Sequence, residues 1–126
     1  MRKSSTIEAD WITSAGLRAI VIFGRLGFHC GYVGVPSSHP LFGVKYSEPS
    51  QRYGKAPEDM FDVHGGLTYS GGEDDFPVES DLWWFGYDCG HLGDVSDICS
   101  EGVFRDLDYC KAECESLAKQ ISEVAP

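Results

Sequence analysis

The feature that most constrains the fold is an aromatic run, Trp83-Trp84-Phe85-Gly86-Tyr87, which leads directly into the polar segment 88–94. A run of this kind is typical of a buried β-strand, in which successive side chains point to opposite faces. Alternation places Trp83, Phe85 and Tyr87 on one face, which we expect to meet a helix, and Trp84 on the other. Trp84 is then either covered by a loop or exposed as an anchor for a partner protein.

Other segments also have the short, partly β-branched or alternating pattern of strands. The turn Gly24-Arg25-Leu26-Gly27 separates two of them and predicts a β-hairpin. Residues 43–62 contain glycine, proline and charged residues without a sustained period, which indicates a long loop with one short helical turn at 57–60. The predicted sheet is roughly four-stranded and mainly antiparallel, with strands at residues 17–23, 28–35, 62–70 and 82–87.

The C-terminal segment has the period of an amphipathic helix. Its apolar residues recur mostly at three- and four-residue steps: Phe104, Leu107, Cys110, Cys114, Leu117, Ala118, Ile121 and Val124. We therefore predict a helix over 103–123 that packs on the sheet, which makes residues 1–126 a single α+β domain with long loops. Residues 1–12 are predicted to be a polar, frayed lead-in.

Charge is distributed unevenly along the chain. The 126 residues carry a net charge of −10, and residues 73–126 hold fourteen Asp and Glu against three Lys and Arg. Such an acidic half repels phosphate backbones, which argues against direct nucleic-acid binding. The same field attracts a basic nucleic-acid channel on another protein, although an acidic surface also serves simply to keep a small protein soluble.

The sequence predicts a cytoplasmic protein. It has no apolar run long enough for a transmembrane helix, and Glu8 and Asp10 interrupt the apolar region that a signal peptide needs. Without export, the five cysteines are expected to be reduced thiols or metal thiolates.

Five side chains have the chemistry of metal ligands. The pattern Asp88-x-x-His91-x-x-Asp94 supplies three of them at regular spacing in a turn that contains glycine. We predict that the five meet at one end of the sheet around zinc or another divalent metal: His39, His64, Asp88, His91 and Asp94. The alternative is a hydrogen-bonded polar turn without a metal.

The sequence also contains residues for other kinds of site. A rival metal site would use Cys99, Cys110 and Cys114, although cysteines on an apolar helix face are more often small buried hydrophobes. His64-Gly65-Gly66 resembles an oxyanion loop, but the Gly-x-Ser-x-Gly elbow of esterases is absent from the sequence. An enzyme would be a metal-dependent hydrolase, with Asp88 or Asp94 as general base toward a metal-bound water. A small-ligand sponge for a nucleotide signal is a further alternative.

Several segments resemble a family of small bacteriophage and prophage proteins. They are Gly31-Tyr32-Val33-Gly34-Val35-Pro36, His39-Pro40-Leu41-Phe42-Gly43, Val63-His64-Gly65-Gly66-Leu67-Thr68-Tyr69-Ser70 and Trp84-Phe85-Gly86-Tyr87-Asp88-Cys89-Gly90-His91. The resemblance implies an accessory protein that acts in the cytoplasm of a bacterial host. Small acidic phage proteins often resemble inhibitors of host defence, including anti-CRISPR proteins. The resemblance therefore implies an inhibitor that binds a host defence nuclease, such as a Cas9-type effector, and blocks nucleic-acid loading.

The acidic stretch after residue 72 is the expected binding surface for such a partner. Its carboxylates complement the Lys and Arg side chains that line a nuclease channel. The predicted metal would then be structural and hold the loops in place. The residues expected to contact the partner are Glu73, Asp74, Asp75, Glu79, Asp81 and Trp84.

Overall fold

The computed structural model describes residues 5–72, 75–91, 93–97 and 100–124, and it has an α+β architecture. The strands are β1 (Thr6–Ile12), β2 (Arg18–Phe23), β3 (His29–Val35), β4 (Tyr69–Gly71) and β5 (Trp83–Asp88), and the helices are α1 (Pro57–Met60) and α2 (Leu107–Ser122). In the described residues the strands form one antiparallel sheet in the order β1-β2-β3-β5-β4. Helix α2 packs across one face of this sheet. The predicted α+β class is confirmed, with five strands instead of four.

The additional strand is β1, at one edge of the sheet. It pairs with β2 from Thr6 opposite Phe23 to Ile12 opposite Arg18, and the register shifts between Ile7 and Ala9. The prediction of a frayed lead-in is therefore wrong for residues 6–12. Most side chains of β1 are exposed, so the strand is held mainly by backbone hydrogen bonds and lacks the apolar alternation of a buried strand.

Two other predicted boundaries are wrong. Strand character predicted for residues 62–70 is limited to the three residues of β4, because Gly65 and Gly66 both adopt positive φ and turn the chain. Helix α2 begins at Leu107 instead of residue 103, because the Asp106 carboxylate caps it by accepting a hydrogen bond from the Tyr109 backbone N–H at 2.8 Å. The predicted β2–β3 hairpin, strand β5 and the short helix at 57–60 are confirmed.

The central strands β2, β3 and β5 are buried on both faces of the sheet. On the face that we call the helix face, Phe85 and Tyr87 of β5 pack with Leu117 and Ile121 of α2 in the main core. Helix α2 thus serves as the cover for one side of a two-layer domain.

Neither of the two helices, α1 and α2, in the described ranges has the length and apolar character needed to cross a membrane.

The opposite face, which we call the loop face, is covered by residues 75–82. Trp84 is fully buried there in a second apolar cluster with Ile20, Ile22 and Tyr32, against which Val78 and Leu82 of the covering loop pack. The Trp84 indole N–H donates a hydrogen bond to the Ser80 hydroxyl at 3.1 Å. The predicted alternation along β5 is confirmed, whereas the assignment of Trp84 as a partner-binding residue is wrong because its side chain is not accessible.

Replacing Trp84 tests this burial. We expect Trp84→Ala to lower the free energy of unfolding by about 3–5 kcal/mol, because it leaves a large cavity between the sheet and its covering loop. Ile12 is 65% exposed and provides the control. Ile12→Ala should change the free energy of unfolding by less than about 1 kcal/mol. Urea denaturation measures both variants. Equal, small losses would mean that Trp84 is not a core residue.

Candidate functional site

The polar residues singled out in the sequence gather where β5 ends and α2 begins. Four of the five predicted metal ligands lie in this region, together with two residues of the α2 segment. We call the whole set the polar cluster, and it consists of His64, Asp88, His91, Asp94, Arg105 and Tyr109. It connects three separate parts of the chain, namely the turn at 63–66, the segment 88–97 and the start of α2.

Asp94 is the centre of the polar cluster, and only 3% of the residue is exposed. Its Oδ2 accepts hydrogen bonds from His64 Nε2 at 2.8 Å and from the His91 backbone N–H at 3.2 Å, and its Oδ1 accepts one from Arg105 Nε at 2.9 Å. Burial alone would raise the pKa of the Asp94 carboxyl, but these hydrogen bonds outweigh burial and lower the pKa below its ordinary value. Asp94 is therefore a buried, fully engaged carboxylate.

His64 lies between Asp94 and Tyr109. Its Nδ1 is 2.8 Å from the Tyr109 hydroxyl oxygen. Burial, and after it the negative charge of Glu113, raises the pKa of Tyr109, so its hydroxyl keeps its proton. The Tyr109 O–H can then donate to Nδ1 while His64 Nε2–H donates to Asp94, which gives a directed Tyr–His–Asp chain. The guanidinium of Arg105 also lies over the Tyr109 ring, 5.0 Å from its centroid.

His91 packs against the turn that carries His64. Its Nε2 lies 3.3 Å from Asp88 Oδ1, close enough for electrostatic attraction, but it has no hydrogen-bond partner among the described residues. A Cβ atom on Gly65 would lie 2.3 Å from His91 Nε2, so only glycine permits this approach. The Asp88 oxygens accept hydrogen bonds from the Gly90 backbone N–H at 2.9 Å and the Thr68 hydroxyl at 3.1 Å.

His39 does not join the polar cluster, and the predicted convergence of all five residues is wrong. Its Nε2 is 3.0 Å from the Ile121 carbonyl oxygen, and its Nδ1 accepts a hydrogen bond from the Leu41 backbone N–H at 3.1 Å. Ile121 is twelve residues beyond Tyr109 on α2, or about 18 Å along the helix axis. His39 follows the far end of β3, and its Nε2–H satisfies a carbonyl of the last helical turn.

The described residues contain no group of three or more His, Cys, Asp or Glu side chains placed to hold a metal ion. Both oxygens of Asp94 accept hydrogen bonds, and the positive charge beside it is supplied by Arg105. Geometry of this kind corresponds to the hydrogen-bonded alternative, and the zinc prediction stays a prediction. In the rival cysteine site, Cys99 lies outside the described residues, while Cys110 and Cys114 are buried on the apolar face of α2.

The covering loop at residues 75–82 is also the acidic loop, and its three described carboxylates have the exposure that the sequence predicted. Asp75, Glu79 and Asp81 are exposed, and within the described chain no hydrogen bond or ion pair engages their carboxylates. Glu73 and Asp74 lie outside the described residues. This loop covers the loop face, whereas α2 and its acidic first turn lie on the helix face. The acidic half of the sequence is therefore divided between two sides of the sheet.

Sequence reasoning missed the buried histidine His29. His29 is 3% exposed, and its ring nitrogens contact two acceptors, the Arg105 carbonyl oxygen at 2.9 Å and Glu8 Oε1 at 2.7 Å. This pairing depends on the register of β1, which was not predicted. Arg105 and Tyr109 were missed as partners of Asp94 and His64 because no spacing in the sequence relates them to the 88–94 segment.

Comparison of the chain with models of protein families, with curated proteins and with solved structures finds no match. The resemblance to phage and prophage proteins therefore stays a prediction from the motifs.

The buried carboxylate gives a prediction about stability and pH. We expect Asp94→Asn to lower the free energy of unfolding at pH 7 by about 2–4 kcal/mol, because it removes the charge that faces Arg105 and His64. The pKa of Asp94 is lowered in the folded state, so its contribution is present above the ordinary value of 3.8 and is lost as pH falls below it. Denaturation of both proteins across pH 2–7 should show their stabilities converging at low pH. A constant difference would contradict the lowered pKa, and the exposed Asp108→Asn serves as the control.

Chelation tests the zinc prediction directly. The zinc prediction expects stoichiometric metal in the dialysed protein and a melting temperature that falls with EDTA. The hydrogen-bonded alternative, in which Arg105 balances the charge of Asp94, expects no stoichiometric metal and an unchanged melting temperature. Stoichiometric zinc together with a melting temperature that falls on chelation would mean that the polar cluster rearranges around a metal.

Proposed function

We propose that this chain is an acidic inhibitor that binds the basic nucleic-acid channel of a host defence nuclease, in the cytoplasm of a bacterial cell. The partner class follows the resemblance to phage proteins, and a Cas nuclease is the member that we would test first. A protein with a net charge of −10 is attracted to such a channel over a distance set by ionic strength. Competition for the channel then blocks nucleic-acid loading without any catalytic step.

The observation that carries this proposal is the state of the acidic loop. The loop is anchored on its inner side by Val78 and Leu82, while Phe76 stacks edge-on against the Tyr32 ring with centroids 5.4 Å apart. Its outer side presents three carboxylates, those of Asp75, Glu79 and Asp81, which have no hydrogen-bond or ion-pair partner among the described residues. A charged surface that is already ordered before binding has less conformational entropy to lose on association.

Two acidic residues near β1 are less suited to this role because their carboxylates are engaged within the fold. Asp10 forms an ion pair with Arg18 at 2.7 Å. Glu115 accepts hydrogen bonds from the Trp11 indole N–H at 2.7 Å and the Ser14 backbone N–H at 2.9 Å, and these bonds lower its pKa. Such carboxylates tie β1 and the β1–β2 turn to their neighbours. The apolar residues of the covering loop hold it on the sheet, but its carboxylates take part in no hydrogen bond or ion pair among the described residues.

The polar cluster supports a structural role over the hydrolase alternative. A general base needs a carboxylate that can reach a proton of a bound water. Asp94 is only 3% exposed, and its oxygens accept hydrogen bonds from His64, His91 and Arg105, so this carboxylate is not open to such a water. Four surface clefts in the described ranges are lined by other parts of the chain and not by the polar cluster. A function through protein binding leaves this arrangement intact.

Two matched variants test the proposal. One removes three charges from the covering loop, with Asp75→Asn, Glu79→Gln and Asp81→Asn, and asparagine suits position 75 because Asp75 has a φ of 58°. The control removes three exposed charges on the helix face, with Asp59→Asn, Asp62→Asn and Asp108→Asn. Each protein is titrated into a Cas nuclease–guide RNA complex, and binding of labelled target DNA is followed by fluorescence anisotropy at low and high salt.

We expect the wild-type protein and the control to reduce DNA binding, and the loop variant to need about tenfold more protein for the same effect. Inhibition should weaken for all three as salt rises. Equal inhibition by the loop variant and the control would contradict the assignment of the loop. Failure of the wild-type protein to inhibit any of a panel of such nucleases would contradict the proposed partner class.

A further inference from the structure

Two cysteine side chains meet in the core at the edge of the polar cluster. The sulfur atoms of Cys89 and Cys110 are 3.4 Å apart, and the residues are 1% and 0% exposed. We propose that these two thiols are a site of reversible oxidation, at which an intramolecular disulfide fastens the end of strand β5 to the first turn of helix α2. The proposal rests on this juxtaposition and is independent of the function proposed above.

The positions of the two cysteines make the bond reachable. A disulfide has a sulfur–sulfur distance near 2.05 Å, so the two atoms must approach by roughly 1.4 Å, which side-chain rotation and a small shift of the chain supply. Cys89 follows β5 directly, and its backbone N–H donates to the His29 carbonyl at 2.9 Å. Cys110 lies one residue beyond Tyr109. The bond would therefore close residues 89–110, the segment that carries His91 and Asp94, into a covalent loop.

The other described thiols are directed elsewhere. Cys114 lies one helical turn beyond Cys110, and its sulfur is 3.6 Å from the Tyr87 hydroxyl oxygen. Cys30 packs against the second apolar cluster, on the loop face of the sheet. Among the described residues, Cys89 and Cys110 are the cysteines whose sulfur atoms are in contact. The structure thus selects one pairing for oxidation.

The chemistry needs an oxidant, and a low-molecular-weight disulfide is sufficient. The thiolate of Cys89 attacks one sulfur of that disulfide, forms a mixed disulfide and releases the first small thiol. The thiolate of Cys110 then attacks the Cys89 sulfur, forms the Cys89–Cys110 bond and releases the second small thiol. The protein loses two electrons and two protons, and the small disulfide is reduced to two thiols.

Burial makes the first step slow. Cys89 and Cys110 are 1% and 0% exposed, so an oxidant does not reach their sulfur atoms in the closed fold. Cys89 is followed by the exposed Gly90, and local opening of this segment is the route by which an oxidant reaches it. We therefore expect oxidation to accelerate with low concentrations of denaturant.

The experiment treats the full-length reduced protein with oxidised glutathione, blocks free thiols by alkylation and maps the peptides by mass spectrometry without reduction. We expect a Cys89–Cys110 link as the main product, reversed by dithiothreitol, and a melting temperature raised by roughly 10 °C in the oxidised form. Cys30→Ser and Cys99→Ser provide matched variants that should retain the link. Cys110→Ser should abolish the rise in melting temperature.

Peptide mapping of the wild-type protein decides the matter even if Cys110→Ser folds poorly. Free alkylated Cys89 and Cys110 after prolonged oxidation would overturn the proposal. So would a link of either cysteine to a different cysteine as the main product. A link that forms only in protein unfolded by high urea would also overturn it, because the folded geometry would then play no part.

Discussion

The structure depends on strand β5 being buried on both faces. Phe85 and Tyr87 require a cover on one side, and Trp84 requires a cover on the other. Helix α2 provides the first, and its fit is fixed by the Tyr87 hydroxyl, which donates to the Cys110 carbonyl at 2.7 Å. The loop at 75–82 provides the second. Each covering element places its apolar residues against β5 and turns its polar residues outward.

The organisation of the charged residues follows from this arrangement. One continuous acidic half of the sequence is separated by the sheet into a covering loop and a helix start. Near the helix start two carboxylates are used within the fold, since Asp94 binds His64 and Arg105, and Asp106 caps α2, whereas Asp108 is exposed. On the covering loop, Asp75, Glu79 and Asp81 have no such contact among the described residues. The two surfaces therefore differ in how many of their carboxylates form hydrogen bonds or ion pairs within the fold. A count of charged residues does not show this difference.

The features that the sequence predicted best are those determined by the burial of apolar side chains. The alternation along β5, the β2–β3 hairpin and the face of α2 were predictable because apolar side chains recur at the strand or helix period. Strand β1 was not, since backbone pairing at an exposed edge leaves no such period. The 88–94 turn was predicted to hold a metal, with a hydrogen-bonded turn as the alternative. Its partners Arg105 and Tyr109 come from another part of the chain, and His39 bonds to Ile121 at the far end of α2. Only the folded register decides these contacts.

The packing of the acidic loop against the sheet is the central claim, and nuclear Overhauser effects between aromatic rings test it most directly. The Phe76 ring has centroid distances of 5.4 Å to both Tyr32 and Tyr69. We predict strong cross-peaks from the Phe76 ring protons to both tyrosine rings. Absence of these cross-peaks, in a protein whose β3–β5 cross-peaks are intact, would contradict a loop that is ordered on the sheet.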